Sequence, residues 1–74
     1  MAEEIHAEMV ANVLKVVVTE GQAVAEGDTV VILESMKMEI PVLTETSGTL
    51  TKIAVKEGDV VQEHDLIAVI TAVD

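Results

Sequence analysis

Seventy-four residues with a formal net charge of -10 and no cysteine allow one domain and exclude several functions at once. Fourteen acidic residues against four lysines make a surface that repels phosphate backbones and anionic bilayers, and no aromatic ring is present for a base to stack on. Disulfides and thiolate metal sites are ruled out, and with 50% hydrophobic residues the chain is too apolar for disorder.

In chain order, MAEEIHAE has neither the basic flank nor the apolar run of a secretory signal. No stretch approaches the ~18 apolar residues that span a bilayer. The expected compartment is the cytoplasm, with no membrane or nucleic-acid partner. Val13 to Val18 is rich in β-branched residues and too short for a helix, so it predicts a strand. With Lys15 outward, alternation sends Leu14, Val16 and Val18 inward. Glu20-Gly21 and residues 26–28 break the chain as turns. Val30 to Leu33 is an apolar strand whose faces periodicity does not assign. A hairpin follows, then MEIPVL, where Pro41 is tolerated only at an edge or strand end and so predicts a short strand. Leu50 to Val55 mirrors the first strand, with Thr51, Ile53 and Val55 inward. Glu57-Gly58, a turn at 63–65 and the apolar run Leu66 to Ile70 complete the chain. No segment carries a helical stripe.

The mirroring is a repeat. A shift of 37 positions lays Lys15 on Lys52, Val18 on Val55, Glu20-Gly21 on Glu57-Gly58, and Asp28 on Asp65. Gly27 falls on His64. Glycine there suggests a positive-φ turn, and histidine is among the side chains enriched in that conformation, which gives His64 a structural role first. The two halves should fold alike around a pseudo-two-fold axis, as a sandwich or flattened barrel.

At the repeat boundary stands ESMKME, residues Glu34 to Glu39. Lysine is rarely buried and methionine usually is, and neighbouring side chains on a strand alternate faces. Lys37 therefore belongs on a connection, with Met36-Lys37 as the tip of a tight hairpin; its counterpart in the second half is Asp74. No catalytic triad, phosphate-binding glycine loop or acid–base pair is visible.

Met-Lys-Met at the midpoint hairpin, the internal repeat, the Glu-Gly turns and Gly48 about ten residues on together resemble the biotinyl domain of biotin-dependent carboxylases, within the biotinyl/lipoyl attachment family. The resemblance covers residues 1–74 as one attachment domain. It implies a flattened all-β barrel of two four-stranded antiparallel sheets, and biotin in amide linkage on Lys37. Met36, Met38, Glu34 and Ser35 would form the recognition hairpin around it. Many family members have Ala at the Ser35 position, and the protruding thumb loop of some carriers has no room between Gly21 and Leu33.

The implied function is a carrier. A biotin protein ligase would biotinylate Lys37, and the tethered group would move carboxybiotin from a biotin carboxylase to a carboxyltransferase. The domain itself would catalyse nothing and would be a monomer on its own. One alternative is a lipoyl or dual carrier, although lipoyl domains usually have Asp and Ala where this chain has Met36 and Met38. Another is an unmodified acidic interaction domain. An enzyme is the weakest alternative.

Overall fold

The computed structural model describes residues 2–72. Among them are eight strands and no helix: β1 Ala2–His6, β2 Ala11–Val16, β3 Ala23–Val24, β4 Thr29–Ser35, β5 Met38–Leu43, β6 Gly48–Ile53, β7 Val60–Val61 and β8 Leu66–Ala72. They form two four-stranded antiparallel sheets, ordered β1-β8-β6-β3 and β5-β4-β2-β7. Advancing each strand by four turns the first order into the second. The 37-residue repeat is thus a structural one, and each half lends two strands to the other's sheet. That exchange is why neither half can bury its apolar face alone.

The core lies between the sheets. Leu50, Ile67, Ile70, Val13, Val30, Val31 and Val61 are fully enclosed, with Val16, Ile53 and Val55 packed at its margin. Two of the four inner strands, one from each sheet, read alike: Val30, Val31 and Leu33 in β4 match Ile67, Ala68 and Ile70 in β8. Two consecutive buried residues in each strand break simple alternation, so periodicity could not assign those faces.

Two expectations are corrected here. Leu14 and Thr51 point outward, not inward; Leu14 is 42% exposed. In β2, Val13 pairs with Leu33 and Lys15 with Ile32, so Leu14 is the extra residue of a β-bulge. In β6, Leu50 pairs with Ile70 and Lys52 with Val69, leaving Thr51 in the same position. The bulge shifts the side-chain phase by one. Val13 and Leu50 then face the core, the lysines still face solvent, and the strands begin at Ala11 and Gly48, two residues earlier than expected.

Four turns share one construction. Thr19-Glu-Gly-Gln22, Ala25-Glu-Gly-Asp28, Lys56-Glu-Gly-Asp59 and Gln62-Glu-His-Asp65 each close with a backbone bond from the fourth N–H to the first carbonyl. In return the fourth side chain accepts from the first N–H, at 2.9–3.1 Å. The third residue has positive φ in all four: Gly21, Gly27 and Gly58 at 92° and His64 at 77°. His64 therefore fills a left-handed position, as the repeat predicts. The turn at 25–28 joins β3 directly to β4, with no thumb.

Candidate functional site

The inner strand β4 runs out of the core into a two-residue turn and returns as β5. Ser35 pairs with Met38 to close the hairpin, and Glu34 pairs with Glu39 one row behind. Met36 (φ 53°) and Lys37 (φ 64°) form the tip. A two-residue hairpin with positive φ at both central positions has a twist that matches the strands, and it favours Asn-Gly because those residues tolerate the left-handed region most readily. Met and Lys have Cβ atoms that oppose this conformation, at roughly 1–2 kcal/mol per residue. Strain of this kind persists where the surrounding structure imposes it, often at functional positions.

The tip is open to solvent. Lys37 is exposed, Met36 is 88% exposed and Met38 60%. Among the described residues, no salt bridge or side-chain hydrogen bond engages Lys37. The methionines leave the core to others and present exposed apolar side chains on both sequence neighbours of Lys37. Glu34 and Ser35 are half-buried at the hairpin base, and Glu34 also pairs with Asn12 of β2. All five residues of the expected recognition hairpin, positions 34 to 38, thus lie together. The repeat counterpart of Lys37, Asp74, lies outside the described residues. Pro41 lies mid-way along β5, which is six residues long and no shorter than β2. The ring fits because β5 is an edge strand.

Sequence reading missed one polar link. His6 Nδ1 lies 2.9 Å from the carbonyl oxygen of His64, and Nε2 lies 3.1 Å from Glu4 Oε1. Both partners accept, so both bonds form only when the ring is protonated. The backbone bond to His64, then the bond to Glu4, raise the His6 pKa above 6.5. The pair Glu4 and His6, two apart on one strand face, was the only available signal. A hollow of about 530 Å³ lies between edge strands β1 and β5, lined by Glu3, Glu4, Glu8, Glu26 and Glu45 among others, and does not include Lys37.

A family model described as biotin-requiring enzyme, of the biotin and lipoyl type, matches residues 3–70. The chain belongs to that family. The biotinylated protein TB7.3 homolog of Mycobacterium leprae is 58% identical over 71 residues, which cover 96% of this chain and 100% of that one. The urea carboxylase of Kluyveromyces lactis contains a domain that superposes with a TM-score of 0.90 at 41% identity, over 96% of this chain and 6% of the carboxylase. The lipoyl domain of the 2-oxoglutarate dehydrogenase complex of Azotobacter vinelandii superposes less closely, with a TM-score of 0.79 at 27% identity, over 92% of this chain and 94% of that domain. The expected fold and biotin-carrier function are borne out, and the lipoyl alternative gains no advantage. The carrier domain is an attachment module, and such domains occur within carboxylases. No helix among the described residues is long and apolar enough to cross a membrane.

Proposed function

We propose that Lys37 carries the biotin, and that residues 1–74 act as one monomeric attachment domain in the cytoplasm. The observation that carries this is the position of Lys37: exposed, unpaired among the described residues, and held at positive φ on the hairpin between the two repeats. Lys15, Lys52 and Lys56 offer the same chemistry, but none stands on a hairpin tip. Selection therefore rests on docking the folded hairpin rather than on amine reactivity.

An alkylammonium is almost wholly protonated at neutral pH. The ligase must therefore remove a proton and supply biotinyl-adenylate. The Lys37 nitrogen attacks the acyl carbon, the N–C bond forms, the bond to the AMP oxygen breaks, and AMP leaves. The domain contributes position: an exposed tip at the end of inner strand β4, with Met36 and Met38 as an adaptable surface that a ligase can close over. Tethering then raises the local concentration of biotin at two sites in turn, a biotin carboxylase and a carboxyltransferase.

Intact mass of the protein from its native cell tests the reading directly. One biotinyl group per chain is expected, and Lys37→Arg should remove it while the fold is kept. An avidin signal that survives in the variant would assign the group to another lysine. A lipoyl mass would assign the carrier to the other chemistry.

A further inference from the structure

The two repeats serve as controls for each other. Val10 and Val60 are each 62% exposed and lie at the end of the barrel that bears Lys37. A shift of 37 places Ser47 and Ala23, also exposed, in the corresponding positions at the opposite end. Core packing does not require two branched side chains in solvent. Other branched side chains are exposed away from Lys37, Val17 at 45% and Leu43 at 47%, but Val10 and Val60 are the more exposed and share one hollow with the hairpin tip.

Together with Met36 and Lys37 they line an open hollow of about 270 Å³, which also takes in Asn12 and Glu34. Asn12 pairs with Val60 on one side and Glu34 on the other, so an isopropyl group, an amide and a carboxylate share one row across three strands. Neither polar side chain has a hydrogen-bond partner among the described residues.

We propose that this hollow is a resting berth for the bicyclic ring of the biotin carried on Lys37. The inference rests on the attachment reading above. The fused urea ring has two N–H donors and one carbonyl acceptor. A carboxylate at Glu34 suits the donors, and the Asn12 amide suits the carbonyl. The thiophane ring and acyl chain are apolar, which suits Val10, Val60 and Met36. From β4 to β7 is two strand spacings, about 10 Å, within reach of a lysyl side chain extended by a valeryl chain. The volume is just below the roughly 300–1,000 Å³ of sites that enclose small molecules. Contact is therefore partial and reversible, as a group that must visit two enzymes requires. A dithiolane ring has no urea donors and would leave Glu34 and Asn12 unused.

The full chain can be made with Nε-biotinyl-lysine or Nε-acetyl-lysine installed at position 37 and compared by amide and methyl NMR. Both forms lose the lysine charge, and only one has the ring. In the biotinyl form, the amides of Val10, Asn12 and Val60 should shift beyond their acetyl-form positions, with nuclear Overhauser contacts from ring protons to the Val10 and Val60 methyls. Giving the site its repeat counterparts, Val10→Ser with Val60→Ala, should return the Asn12 shift towards the acetyl value. Superposable spectra at these residues with no contacts would overturn the berth and leave the hollow to a partner's side chain. Because the group is installed rather than enzymatically added, this outcome is independent of which lysine a ligase uses.

Discussion

The backbone N–H of Gly58 donates to the carbonyl of Val13 at 2.9 Å, at the point where β2 bulges. Gly21 repeats the contact with Leu50 at 2.7 Å, where β6 bulges. A turn from each half is thus tied to the bulged strand of the other. Both glycines have φ of 92°, and an added Cβ would meet no atom within 4 Å. The penalty of a side chain there is therefore confined to the backbone. Gly21→Ala or Gly58→Ala should each destabilise by about 1 kcal/mol or more, which thermal melts read as a fall of roughly 4–8 °C in a domain of this size. His64→Gly, at the equivalent strained position, should be neutral or stabilising. A loss as large as a core deletion would show that the imidazole itself is needed.

Gly48 fails for a different reason. Its φ is ordinary, but a Cβ would collide with the Thr71 carbonyl across the β6–β8 pair. Gly48→Ala should cost about 1–3 kcal/mol through backbone displacement, more than either turn glycine in the same assay. An unchanged melting temperature would mean that β8 yields freely.

The His6 link has a pH signature. A folded-state pKa raised above 6.5 gives stability that is fully present below about 6.5 and is lost as pH rises through the raised value. The melting-temperature gap between wild type and His6→Gln should therefore be wider near pH 5.5 than near pH 8.5. The ring is exposed, so the effect is small. A gap that widens with pH would contradict an imidazolium bound by Glu4 and the His64 carbonyl.

Met36 and Met38 should set the choice of modification more than the stability of the fold. Met36→Asp with Met38→Ala places a carboxylate beside the amine and imitates the lipoyl pattern. Initial rates with purified biotin and lipoyl ligases should move away from biotin and towards lipoyl transfer. Stability should hold, because both side chains are exposed and Asp tolerates positive φ better than Met. A steep fall in melting temperature would assign the methionines to packing instead. Biotinylation itself is readable as charge, since loss of the Lys37 ammonium takes the formal net from -10 to -11.

Much of this protein is local enough to be read from its residues. The 37-residue repeat, the Glu-Gly turns and a lysine at the boundary are properties of the chain itself. A turn glycine needs positive φ wherever it lies, and Met36-Lys37 can be placed on a connection because Lys37 cannot be buried in either strand. The side of β2 that Leu14 occupies is not local. It depends on a bulge that forms where the Gly58 turn reaches across from the other repeat, and one inserted residue reverses every face after it. The exchange of strands between sheets, the His6–His64 link and the row of Val60, Asn12 and Glu34 likewise join residues far apart in sequence. The sequence determined which segments turn, which extend and which lysine stands apart. Tertiary structure decided register and neighbours, because those are set by hydrogen bonds and packing between segments that carry no mark of each other until they meet.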